Sequence, residues 1–120
     1  MFVDVILFYT MFKQENRLTS KYEIGLVKRG GVNIKGRSFI CLYLRNPEQK
    51  KLTVIVSTKF DKKAVVRNKV KRQIREIVSK NLTKLPNGLY MFVPKKHIIN
   101  NTYEEISFDI NQVLSAYFKF

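Results

Sequence analysis

The chain has 120 residues, with 23 Lys and Arg against 9 Asp and Glu, a formal net charge of +14 and a sequence pI of about 10.1. That length fits one domain with a modest core. A content of 45% hydrophobic and 12% aromatic residues excludes a fully disordered basic tail, which lacks the apolar surface to fold. So large a charge on so small a domain repels itself, and a polyanion would offset it: nucleic acid first, a membrane surface second, an acidic protein third. A single cysteine, Cys41, excludes an intramolecular disulfide framework and a multi-cysteine zinc site. Inside an apolar run it reads as a small buried hydrophobe rather than a reactive thiol. One histidine, His97, and scattered carboxylates leave little material for a metal site or a catalytic triad. No stretch approaches the roughly 20 apolar residues that span a bilayer, so no membrane partner and a cytoplasmic location are expected.

Met1–Phe12 is apolar but carries Asp4 where a signal peptide would carry Lys or Arg, and it has no small-residue cleavage site. Residues 1–10 read as an apolar extension that need not be native, with Met11 as the natural start and residues 11–120 as one domain. The spacing of Leu18, Tyr22, Ile24, Leu26 and Val27 predicts a short helix over Arg17–Arg29, ended by Gly30-Gly31. Ser38–Leu44 predicts a strand with two apolar faces, Phe39/Cys41/Tyr43 and Ile40/Leu42/Leu44, both covered. Asn46-Pro47-Glu48-Gln49 predicts a turn and Leu52–Ser57 a second strand, paired with the first as a hairpin. Asp61–Asn81 predicts a long basic helix, Leu85–Gly88 a loop, and Leu89–Val93 a strand stopped by Pro94. Thr102-Tyr103-Glu104-Glu105 is a capping box that opens a last helix, with Ile106, Ile110, Val113, Leu114 and Tyr117 as its buried stripe. The order α-β-β-α-β-α indicates an α+β sandwich with helices packed on a small sheet.

The charge is concentrated. Lys59–Lys80 carries Lys59, Lys62, Lys63, Arg67, Lys69, Lys71, Arg72, Arg75 and Lys80 against Asp61 and Glu76, a net +7, whereas His97–Phe120 is net −2. At about 100° per residue, Arg67, Lys71, Arg75, Asn68 and Arg72 fall on one arc with Lys69 beyond it, and Val66, Val70, Ile74, Ile77 and Val78 fall on another. One face is core and the other a band of cationic donors. A solvated helix face is the plainer alternative, but Glu76 stands nearly alone, so neutralisation four residues along the helix is largely absent. The band therefore points to phosphate binding. Strand Tyr and Phe residues offer stacking platforms for single-stranded RNA, against their plainer role as core. Composition alone does not separate RNA from DNA.

Ala64-Val65-Val66-Arg67-Asn68-Lys69-Val70-Lys71-Arg72-Gln73-Ile74-Arg75-Glu76 closely resembles the signature of the bacterial ribonuclease P protein component. The family's core is Arg-Asn-Arg, an apolar residue, Lys-Arg and a further Arg. A strand ending in Ser or Ala with two Lys precedes it, matched here by Val54–Lys59 and Lys62-Lys63. The likeness runs from Asn16-Arg17-Leu18 through Gly36–Phe39 to the last helix. It implies a two-layer α+β sandwich of order α-β-β-β-α-β-α with a left-handed βαβ crossover, shared with a ribosomal-protein domain. The third strand of that order is not visible in this sequence.

The resemblance also implies the role. The protein binds ribonuclease P RNA and the precursor-tRNA 5′ leader, and so promotes endonucleolytic removal of the leader. No residue of the chain is catalytic, no metal is tightly bound by the protein, and Mg²⁺ is held mainly by the RNA subunit. No protein partner is required. Lys59, Lys62, Lys63, Arg67, Asn68, Lys69, Lys71, Arg72 and Arg75 are expected to bind RNA, with Lys69 and Arg72 facing the catalytic RNA. Lys69 replaces the family's third-position Arg, keeping the charge but losing bidentate phosphate geometry. Phe39, Tyr43, Asn68, Lys71 and Arg75 are expected to line a leader-binding cleft. The family's strand Tyr aligns nearer Leu42, and a one-residue shift exchanges sheet faces. The alternative is a ribosomal-type RNA-binding or RNA-chaperone protein with no role in cleavage.

Overall fold

The computed structural model describes residues 16–120; the expected extension at residues 1–10 and the start at Met11 lie outside them. In chain order the elements are α1 (Lys21–Gly30), β1 (Val32–Lys35), β2 (Phe39–Arg45), β3 (Lys50–Val54), α2 (Ala64–Ser79), β4 (Gly88–Pro94) and α3 (Tyr103–Phe118). Short 3₁₀ turns at Leu82–Lys84 and Lys96–Asn100 flank β4. The four strands form one sheet of order β1-β2-β4-β3. The third strand missing from the sequence reading is β1, which pairs antiparallel with β2 from Val32↔Tyr43 to Lys35↔Ile40.

The expected hairpin between the second and third strands does not form. Strand β4 lies between them, antiparallel to β2 from Phe39↔Pro94 to Arg45↔Gly88 and parallel to β3 from Lys50↔Gly88 to Val54↔Phe92. The reason is burial. Leu89, Tyr90, Met91 and Phe92 are all buried, and a strand apolar on both faces is most stable flanked by strands and covered on both sides. Strand β3 begins with Lys50-Lys51 and suits an edge. The parallel pair is joined through α2, so the basic helix is the crossover of a βαβ unit.

The sheet has two apolar faces. On one, Phe39, Cys41, Leu52, Val54, Tyr90 and Phe92 pack with Val70, Ile74, Ile77 and Val78 of α2 and Ile106, Ile110 and Leu114 of α3. On the other, Leu89 and Met91, with Leu42, Leu44 and Val93, pack beneath Val27 and Ile24 of α1. Both faces of β2 are therefore covered, as its double apolar pattern requires.

The helix ends are specified locally. Ser20 caps α1, its side chain accepting from the Glu23 N–H at 3.3 Å, so the helix starts later than Arg17. Thr102 and Glu105 form the capping box of α3, with Glu105 N–H to Thr102 Oγ1 at 3.2 Å and Thr102 N–H to Glu105 Oε1 at 2.8 Å. Arg17 and Leu18, expected to begin the helix, instead run with Asn16 along the outer edge of β3. Arg17 forms a parallel bridge with Leu52, the Leu18 N–H donates to Leu52 O at 2.9 Å, and Asn16 Nδ2 donates to Lys50 O at 2.8 Å.

Candidate nucleic-acid interface

The helix wheel drawn from the sequence matches the burial of α2. Val70, Ile74, Ile77 and Val78 are buried, Asn68, Lys69 and Arg72 are exposed, and Arg67, Lys71 and Arg75 are partly buried along the flank. Lys59, Lys62 and Lys63 are exposed in the loop that leads into the helix. The fold therefore places the expected cations in one run on α2 and its entry.

The helix entry suits anions. The N-cap, Lys63, makes no side-chain capping bond, and the first turn holds no acidic residue. Unpaired amides and the helix dipole give that end positive character. Asp61 is occupied otherwise: its Oδ1 accepts from the Lys63 N–H at 2.8 Å and shapes the turn. Arg67 has a structural duty as well. Its Nη1 donates to Asp61 O at 2.7 Å and Lys62 O at 2.9 Å, tying the helix to its entry loop.

Glu76, the one acid within α2, is turned toward α3. Its Oε1 accepts from the Tyr103 hydroxyl at 3.1 Å and lies 3.9 Å from Lys80 Nζ. Burial and then the charge of Arg17 lower the pKa of the Arg75 guanidinium. Arg17 is a cation that the sequence reading left out of the band. Its signal was available: Arg17 precedes an apolar residue, Leu18, and alternation along an extended segment sends the two to opposite faces.

The expected cleft aromatics pack in the core between the sheet and α2 and α3. Phe39 is 0% exposed, with its ring centroid 6.1 Å from that of Phe92 and its edge against Gly36. Its ring has no surface to offer a base while the sheet is intact, which corrects the expectation that it lines a cleft. Tyr43 faces the same core, 4.9 Å from Tyr90 and 5.0 Å from Phe118 between centroids. Leu42, nearer which the resemblance aligns the family's strand Tyr, lies on the face beneath α1. The face swap foreseen from the one-residue shift is what separates Tyr43 from α1.

Among the described residues, no three His, Cys, Asp or Glu side chains gather where they could hold a metal ion. Burial pushes the Cys41 thiol well above its ordinary 9.0, as an inert core thiol requires. No helix among the described residues is long and apolar enough to cross a membrane.

The chain is an α+β domain with helices on both faces of one sheet, rather than the expected two layers, and its crossover helix turns a row of cations outward. A family model described as ribonuclease P matches residues 12–117. The ribonuclease P protein component of Petrotoga mobilis is 37% identical over 92 residues, covering 75% of this chain and 77% of that protein. That of a Pseudanabaena species is 30% identical over 108 residues, covering 88% and 93%. Among solved structures, the Thermotoga maritima ribonuclease P protein superposes with a TM-score of 0.74 at 25% identity, covering 83% of this chain and 96% of that one. The Staphylococcus aureus protein superposes with a TM-score of 0.76 at 23% identity, covering 85% and 94%, a likeness of fold. The chain belongs to the ribonuclease P protein family.

Proposed function

We propose that this chain binds ribonuclease P RNA and the precursor-tRNA 5′ leader in the cytoplasm, and so promotes removal of the leader. The observation that carries this is the row Arg67, Lys71 and Arg75 along α2, with the helix's one acid, Glu76, turned toward α3. The reaction is hydrolysis of one phosphodiester: water adds to phosphorus, the leader leaves with a 3′-hydroxyl, and the tRNA keeps a 5′-phosphate. Such chemistry draws on metal-activated water and charge neutralisation. The RNA subunit supplies Mg²⁺ for it. The chain's own contribution is binding: its cations offset the repulsion between two polyanions, leader and catalytic RNA, and hold them together. No protein partner is needed for this.

The test is reconstitution. The purified chain is added to ribonuclease P RNA and precursor tRNA at low Mg²⁺, and 5′ cleavage is measured. Stimulation is expected, greater for substrates with a long leader than for those with a single leader nucleotide, and reduced by substitution of Arg67, Asn68 and Lys71. RNA binding without stimulation would favour the RNA-chaperone alternative, and unchanged stimulation in the variants would move the interface elsewhere.

A further inference from the structure

We infer that Tyr103 is a positioning residue for RNA binding: its hydroxyl holds Glu76 away from Arg72, so that Arg72 meets RNA without a carboxylate partner. This rests on the RNA-binding role proposed above. The geometry begins on α2. Glu76 lies one turn after Arg72 and one turn before Lys80, so either cation is within reach of its carboxylate. Helix spacing alone favours Lys80 only modestly, because a Glu placed before its cation pairs somewhat better than one placed after it. Tyr103, the first residue of α3, makes the choice firm. The Thr102 and Glu105 capping box fixes where it enters the helix. Its hydroxyl donates to Glu76 Oε1 at 3.1 Å and accepts from Lys80 Nζ at 3.4 Å, and that ammonium sits 5.6 Å from the ring centroid. Lys80 Nζ and Glu76 Oε1 are 3.9 Å apart.

One tyrosine thus engages both charges at once, through a donor, an acceptor and a ring face. The other cation in reach of Glu76 is left alone. Arg72 is exposed, and among the described residues no carboxylate pairs with it. This bears on recognition, because a guanidinium already forked onto a carboxylate must give it up before it takes a phosphate. Without the hydroxyl, Glu76 would be divided between Lys80 and Arg72, and the cationic row on α2 would lose part of its charge.

The experiment titrates the full chain with ribonuclease P RNA at one fixed salt concentration, with a thermal melt of each variant alongside. Tyr103→Phe keeps the ring and removes only the hydroxyl. It should weaken binding roughly 2- to 5-fold, the amount that an exposed Arg–Glu pair can withhold. The decisive readout is rescue. Glu76→Gln should bind at least as tightly as wild type, and Tyr103→Phe should cause no further loss in that background, nor in the Arg72→Gln background. A merely structural Tyr103 would weaken binding equally in all three backgrounds. That result would overturn the inference, as would a Tyr103→Phe protein that binds like wild type. If Lys71→Gln weakens binding and Arg72→Gln does not, Arg72 lies off the interface, so the inference about Tyr103 fails and the RNA-binding role stands. If neither weakens it, the role of the α2 cations is wrong as well.

Discussion

Asp109 of α3 and Ser38, just before β2, share two hydrogen bonds. The Ser38 N–H and hydroxyl both donate to Asp109 Oδ2, at 2.8 and 2.6 Å, and the Arg37 N–H donates to Oδ1 at 3.1 Å. Asp109 is 7% exposed and Ser38 0%. One carboxylate thus satisfies the turn between β1 and β2 and locks it to the last helix. Asp109→Ala should cost about 3 kcal/mol, because it leaves three donors unpaired in a buried place. Asp109→Asn, which keeps one carbonyl acceptor, should cost less. Urea denaturation of the two variants measures the difference.

Gly36 sits against Phe39 so closely that an added Cβ would lie 2.3 Å from the ring. The ring is enclosed and cannot step aside without moving core neighbours. Gly36→Ala should destabilise the fold by about 1–3 kcal/mol. A second substitution, Phe39→Leu, should relieve part of that clash, so the pair should be less than additive in a thermal-melt cycle.

Arg67 and Lys71 separate binding from stability. Arg67→Ala removes the Nη1 bonds to Asp61 O and Lys62 O along with a cation. It should lower both RNA affinity and stability, the latter by about 1 kcal/mol. Lys71→Ala should lower affinity alone. Parallel melts and RNA titrations distinguish the two.

Alkaline pH should unfold the domain. Burial raises the pKa of the Cys41 thiol above 9.0 and those of Tyr90 and Tyr43 above 10.0, with Tyr43 and Cys41 adding to the rise at Tyr90 and Arg45 opposing it at Tyr43. The folded state therefore keeps protons that the unfolded chain releases. Stability is full below the unfolded values and falls as pH rises past them. Melting temperature should be flat up to about pH 8 and decline above it. In the folded chain, Cys41 should react with a thiol reagent only on unfolding.

A chain of net charge +14 should also be stabilised by small polyvalent anions that bind the folded state. Sulfate should raise the melting temperature more than chloride at matched ionic strength. Equal effects would show general screening rather than bound anions.

The sequence made some of this legible for definite physical reasons. The burial of Val70, Ile74, Ile77 and Val78 follows from helical spacing, and Thr102 with Glu105 states where α3 begins. Local signals misled where the partner lay far along the chain. Asn46–Gln49 does make a turn, with Asn46 Oδ1 accepting from the Glu48 and Gln49 N–H groups. The strands it joins are nevertheless parted by β4, more than forty residues on. The unbroken apolar run of Tyr90-Met91-Phe92 was the clue to a central strand. β1 escaped notice because it spans four residues and buries only Ile34. The start of α1 was marked by Ser20 and Glu23, a capping pair passed over in favour of spacing alone. The cations of α2 are legible as one outward row because one helix carries them. The pairing of Arg17 with Leu52 is not, because the two lie far apart in the chain.

The ladder of Asn16–Leu18 on β3 has a bearing on solubility. An open edge strand invites pairing with a second copy, and such pairing seeds aggregation. Here the outer edge of β3 is already occupied at Leu52 and Lys50, and the covering segment carries a charge at Arg17. Shortening the chain past Leu18 would bare that edge and remove the charge together. These few residues thus guard the protein against self-association.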